Sequence, residues 1–474
     1  MSAPTIYTRR RFLREAGALS ALSLASTLDS FGISAASAQG APGYKALVCV
    51  FLFGGADSNN LVIPYTNYAA YNAVRDPSTG INIAQASLVQ ITPANAGGAI
   101  YGLHPDMADL QPVFNSGKMA VLLNAGPLLY PTTRAQYLAR TVAQPSQLFS
   151  HSDQQQQYMS GISSPSLAGI TGWGGRLAEK MGGLNAPNAT PLAMSFSGSQ
   201  TFGNGAVSKM LSMPTSGNFG FTGDPAGAPS AAQAARAAAR TAISTALDSN
   251  QMVQAGQGTA INAIRSSGLI NPIIQAAAPT PIQDAFRVGY APPGAVLNTS
   301  IANQLKAVAK MISNRVTLGH SRQIFFVSIG GWDTHTGQLL GQQNLLRSVV
   351  PALRAFYQST VNMGIANEVT TFTMSDFSRT FRPNSGGTDH AWGGHHFVLG
   401  GSVVGKDFYG GFPDLKLGAT SVNDSGSQGR WIPTIALDQY GATLAKWFGA
   451  SPTDVAQIFP NVGRFATSDI GFMA

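Results

Sequence analysis

Aspartate and histidine recur in a few short windows of this chain, at spacings that suit a bound cation. "IGGWDTHTGQ" (329–338) sets Asp333 and His335 one residue apart behind a glycine pair. "SDFSRTFRPNSGGTDHAWGGHH" (375–396) adds Asp376, Arg379, Asp389, His390, His395 and His396. "GGADSNN" (54–60) carries Asp57, and "LFSHSDQQQQY" (148–158) carries Ser150 and His151. Asp and His without cysteine suit a hard-to-borderline divalent ion such as Zn²⁺ or Mn²⁺. Clustered carboxylates also demand a cation, because like charges otherwise drive their pKa values up. Each piece has a plain reading of its own. Asp57 reads as a turn or helix-cap residue, "SHS" as a helix N-cap, and His395-His396 as a strand start with one ring outward. Arg379 reads as a partner for Asp376. Taken together, acid or histidine pairs follow three separate apolar runs, and that arrangement predicts a metal site of one or two ions.

The elements that must position these residues are legible as apolar runs. "YKALVCVFLFGG", "KMAVLLNAGP" (118–127), "PLAMSFSG" (191–198), "RQIFFVSIGG" and "NEVTTFTMSDF" (367–377) are short, β-branched or aromatic, and bounded by Gly or Pro. Such runs predict strands buried on both faces. "QQNLLRSVVPALRAFYQSTVNMG" (342–364) has helical spacing. Strand and helix alternate, which predicts an α/β domain with a doubly wound, mainly parallel sheet. In such sheets ligands gather beyond the carboxyl ends of the strands, where the Asp and His windows fall. Residues 225–315 are almost pure helix formers and predict a helical insertion. Two Gly/Pro-rich zones, 196–229 and 383–430, read as long surface loops.

Only 11% of the 474 residues are charged, and the formal net charge of +8 is spread along the chain beyond its N-terminus. A dispersed charge gives nucleic-acid binding no support. Cys49 is the only cysteine, so no internal disulfide forms. "TRRRFLREAG", followed by an Ala/Leu/Ser-rich stretch ending in "SAASAQG", looks like a twin-arginine export signal over residues 1–38, leaving a domain of 39–474. The expected location is therefore periplasmic or secreted, the export machinery is an expected partner, and no membrane span is expected in the mature chain.

The windows "FLFGGADSNNLVIPY", "SHS" with "QQQQYMSG", "GGWDTHTGQ", "SDFSRTFRPNSGGTDHAWGGHHFVLGG" and "PTIALDQYGATLAKWFGASPTDVAQIFPN" resemble an uncharacterised exported family, domain of unknown function 1501. That family in turn resembles the alkaline phosphatase and sulfatase superfamily. The resemblance implies that fold and up to two metal ions. One would be held by Asp57 with Asp389 and His390, the other by Asp333, His335 and His395 or His396. It also implies Ser150 as nucleophile and His151 as a substrate-orienting residue. Arg379 would steady an anion. The superfamily usually spaces the second metal's ligands wider than Asp333-x-His335, and the role of Asp376 stays open. No C/S-x-P-x-R frame is present, which disfavours a formylglycine sulfatase.

The expectation is an exported metal-dependent hydrolase of small phosphate or related oxyanion esters. The alternative is a non-catalytic exported protein that keeps the fold and binds a structural metal or another exported, cell-envelope partner.

Overall fold

A computed structural model describes residues 43–163, 171–187, 189–221 and 229–474. The expected export signal, 1–38, lies outside these residues, as do the first four positions of the expected helical insertion. Twelve strands are described: β1 (Lys45–Leu52), β2 (Val62–Pro64), β3 (Val89–Ile91), β4 (Tyr101–Leu103), β5 (Met119–Gly126), β6 (Ala193–Ser195), β7 (Leu211–Ser212), β8 (Arg322–Ile329), β9 (Val369–Ser375), β10 (Gly394–Gly400), β11 (Phe408–Tyr409) and β12 (Ile435–Ala436). Nine form one sheet in the order β11-β5-β10-β9-β1-β8-β6-β7, with β12 beside β5; β2, β4 and β3 form a small antiparallel sheet.

β1 is the sheet's central strand, parallel to β8 on one side and to β9 on the other. Only β10 runs against its neighbours. Along β1, Ala46, Val48, Val50 and Leu52 enter one core, and Leu47, Cys49 and Phe51 enter the other. A strand apolar at every position after Lys45 is what a sheet covered on both faces requires. One face is covered by the helices Ser300–Ser313 and Gln338–Asn362, the other by Trp173–Met181 and Leu437–Phe448.

All five expected strands are present, as β1, β5, β6, β8 and β9. The zone 383–430 differs from its reading as surface loop, because β10 lies inside it and is buried along its whole length. In 229–315 the structure is helical, over Ala231–Thr245, Gln251–Gln275, Thr280–Ala285 and Ser300–Ser313. The last of these packs against the sheet through Ile301, Leu305 and Val308. No helix among the described residues is long and apolar enough to cross a membrane.

Candidate metal centre

Three strand ends and one helix start meet at the carboxyl edge of the sheet. β1 ends in Gly54-Gly55, β8 in Gly330-Gly331, and β9 runs straight into Asp376. Because β10 runs antiparallel, its beginning lies at this same edge, which brings in Asp389 and His390 from the segment before it. Close backbone approach is built in. Gly54 has φ +117°, and a Cβ there would lie 2.4 Å from the Asp333 nitrogen. Ser375 ties the turn down, accepting from Ala56 N at 2.9 Å and donating to Leu52 O at 2.6 Å.

The helix His151–Ser160 supplies a fourth element. Phe149 precedes it in the left-handed region, at φ +74°. That conformation costs a bulky residue of order 1–3 kcal/mol. Here the Phe149 carbonyl meets His390 Nδ1 at 2.7 Å.

Three imidazoles are oriented in the same manner. His151 Nδ1 meets Asp376 Oδ2 at 2.6 Å, His335 Nδ1 meets Asp389 Oδ1 at 3.1 Å, and His390 Nδ1 meets the Phe149 carbonyl. Each acceptor is an oxygen without a proton to give, so each Nδ1 carries the hydrogen and each neutral ring keeps its lone pair on Nε2. The Nε2 atoms turn toward one carboxylate oxygen. Asp333 Oδ1 lies 3.4 Å from His151 Nε2, 3.1 Å from His335 Nε2 and 3.4 Å from His390 Nε2. His335 Nε2 and His390 Nε2 are themselves 3.0 Å apart. Two lone pairs facing each other at that distance repel unless a proton or a metal ion lies between them.

The spacing suits a metal ion. Bonds of about 2.0–2.1 Å in a tetrahedral site put neighbouring donors about 3.3 Å apart. His151, Asp333 and His390 also meet as a group whose ligand atoms all lie within 4.8 Å of one another. His151 Nε2 is buried and has no hydrogen-bond partner among the described residues. The side chains of Asp333 and His335 are 46% and 43% exposed, so the centre opens to solvent on that side.

Charge at the centre follows from these contacts. The hydrogen bond donated to Asp376 raises the His151 pKa against the opposing effect of burial. Burial depresses His390. Burial pushes the Asp333 carboxyl up, but Arg379 and the three histidines more than offset it and leave it below its usual value. Asp376 is fully buried and accepts further from Gln155 Nε2 at 2.9 Å and Gly54 N at 3.2 Å. It orients His151, a role its sequence context left open.

Several expectations are corrected. Asp57 does not join the centre. Its carboxylate is buried and occupied by Arg75 at 2.6 and 3.2 Å, by Gln338 Nε2 at 2.5 Å and by Asn59 N at 3.1 Å. It caps the short helix Ser58–Asn60, as its plain reading held. His395 and His396 are core residues of β10. His395 Nδ1 accepts from Asn124 N at 3.0 Å, and His396 Nε2 meets the Tyr158 hydroxyl at 3.1 Å. Burial pushes both pKa values down to about 3 and keeps the rings neutral. His396 is not outward either, since it stacks on Tyr440 at 5.7 Å.

Arg379 pairs with Asp333, not with Asp376, and is fully buried. Its other donors reach the carbonyls of Gly55, Thr388 and Gly54 at 2.9–3.1 Å. It therefore fixes Asp333 in place and is not free to clamp a substrate anion. His151 turns its Nε2 into the donor group, where a substrate-orienting role had been expected. Ser150 is the N-cap position of the helix, and its hydroxyl donates to Asp153 Oδ2 at 2.6 Å. Cys49 is buried inside β1.

Phe149 and Gln155 carried no sequence signal beyond standing beside "SHS". Their roles depend on a backbone angle and a helix face.

Comparison with solved structures finds loose similarities. A sulfatase from Pseudoalteromonas sp. is 10% identical, with 90% of this chain and 71% of that one covered and a TM-score of 0.33. Ps i-CgsB in complex with k-i-k-neocarrahexaose is 8% identical over 86% and 73%, with a TM-score of 0.34. A Bacteroides thetaiotaomicron protein from a locus for glycosaminoglycan metabolism is 10% identical over 86% and 73%, at 0.32. Scores this low say nothing about activity. No curated protein matches the chain. A family model does, across residues 44–425, and the chain belongs to the family described as protein of unknown function, DUF1501.

Proposed function

We propose that this protein is an exported metal-dependent hydrolase of phosphate or related oxyanion esters, built around one divalent ion. The observation that carries the reading is the convergence of three lone-pair-bearing Nε2 atoms and Asp333 Oδ1, each ring held by an oxygen behind it. Such outer partners are the usual support of metal-binding histidines. The donor set of nitrogen and oxygen suits Zn²⁺ or Mn²⁺. When bound, such an ion polarises an ester oxygen and acidifies a coordinated water. One ion is proposed, because Asp57, His395 and His396 are engaged elsewhere. Asp389 and Asp376 set ring orientation, Arg379 holds Asp333, and Ser150 is the proposed nucleophile. Asp153, 2.6 Å from the Ser150 hydroxyl, is placed to take its proton. The twin-arginine route carries folded proteins, so the metal is loaded before export.

The test is metal content together with turnover of a panel of aryl phosphate, phosphonate and sulfate esters. One equivalent of metal, turnover, and loss of both in His390→Ala support the proposal. Protein free of metal after exposure to micromolar zinc and manganese refutes it. A second reading is a structural ion in a non-catalytic exported protein, held by the mutually close donors His151, Asp333 and His390. Bound metal without turnover on the whole panel selects that reading.

A further inference from the structure

Three arginines meet on one loop beside the centre, and none is paired with a carboxylate among the described residues. The loop 424–431 is closed by a bridge between Asp424 and Trp431. Arg430 belongs to it, and its Nε donates to the carbonyl of His390 at 2.9 Å. Arg134 Nε donates to Asp424 O at 2.8 Å, and Arg382 Nε to Ser427 O at 3.3 Å. The loop's own acid, Asp424, is occupied by the main-chain N–H groups of Gly418, Gly426 and Arg430. In all three arginines Nε is held by a carbonyl, and the terminal nitrogens have no acceptor among the described residues.

Arg430 lies nearest the chemistry. Its guanidinium sits 4.5 Å from the Phe149 ring centre, and Phe149 is the residue whose carbonyl orients His390. Stacking and a fixed Nε orient the fork before any ligand arrives, which lowers the ordering cost of binding. A guanidinium fork matches the oxygens of a sulfate or phosphate group. Arg379, expected to meet the anion, is consumed by Asp333.

We propose that Arg430, with Arg382 and Arg134 along the same loop, binds anionic groups of the substrate other than the one cleaved, so that the substrate is a multiply sulfated or phosphorylated ester. This rests on the hydrolase reading and names its substrate class. Isothermal titration of the metal-loaded protein with sucrose octasulfate and with inorganic sulfate tests it. The octasulfate binds at least about tenfold more tightly than sulfate. Arg430→Ala weakens it about ten- to a hundredfold, the range for one charged hydrogen-bonding group. Arg430→Lys falls between, because the charge stays and the fork is lost. Arg382 is exposed, so Arg382→Ala keeps the fold and weakens binding severalfold.

Lys446→Ala, which removes a cation paired with Asp469, leaves binding unchanged. Metal content and melting temperature are measured alongside. Octasulfate affinity that survives Arg430→Ala and Arg382→Ala together in folded protein overturns the proposal, as does affinity no greater than that of sulfate. Arginine-dependent binding by a protein without metal or turnover supports the anion site and defeats the hydrolase reading instead.

Discussion

Asp376→Asn removes one charge and keeps the shape of a side chain that never touches the proposed ion. In the wild type the carboxylate accepts from His151, Gln155 and Gly54 through Oδ2, while Oδ1 is buried without a donor. The amide oxygen of asparagine can take the place of Oδ2 and preserve all three bonds, leaving its NH₂ group where Oδ1 stood. The change therefore weakens the His151 contact electrostatically without deleting it. Mutation of such an outer partner lowers metal affinity about ten- to a hundredfold, or about 1.4–2.7 kcal/mol, and a contact weakened but kept places Asp376→Asn at the lower end. The assay is zinc affinity measured against a competing chelator, in the single variants and in a double-mutant cycle with His151→Ala. Asp376→Asn loses affinity in the wild-type background and little in His151→Ala. Wild-type affinity in Asp376→Asn, or the same loss with and without His151, refutes the argument that Asp376 acts through that ring.

Gly54→Ala drives a Cβ to 2.4 Å from the Asp333 nitrogen at a left-handed φ, so zinc binding falls sharply; Gly330→Ala, which meets open space, keeps it, and elemental analysis of the two decides. Asp57→Ala strands the buried Arg75 charge and costs about 3–5 kcal/mol in denaturant unfolding, yet the metal content stays at one ion. Retention of the fold with loss of the ion in that variant would restore Asp57 as a ligand.

Asp438, buried in the first turn of Leu437–Phe448, has its pKa pushed up by burial to about 7 against backbone N–H groups, Arg464 and Arg176. The folded state then binds the proton more tightly than the unfolded state, so this group's contribution is greatest below about pH 4 and is lost as pH rises through 7. Asp438→Asn is therefore stabilising by up to about 4 kcal/mol at pH 8, at about 1.4 kcal/mol per pKa unit, and neutral near pH 4. Unfolding curves at the two pH values check the sign.

The strands were legible because their signal is local. Runs such as "ALVCVFL" and "IFFV" are apolar at every position, and a strand covered on both faces accommodates that. The carboxyl edge followed from the same pattern, and with it the neighbourhood of Asp333, His335, Asp389 and His390. The histidines of "GHHFVLG" read as a strand start inside a zone otherwise read as surface loop, and nothing local says that both rings will be neutral and buried.

Which carboxylates and imidazoles meet was decided by the tertiary structure. Asp57 and Asp333 both follow a glycine pair at a strand end, and their neighbours in the chain do not tell them apart. Arg75 reaches back across 18 positions to neutralise the first, while Arg379 and three imidazoles gather on the second. His151 pairs with Asp376 across 225 positions, and His390 is turned by a carbonyl 241 positions away. Residue type and periodicity determined the sheet and the inventory of ligands. The state of each ring nitrogen depends on which oxygen lies behind it, and distant segments supply that oxygen only once the chain has folded.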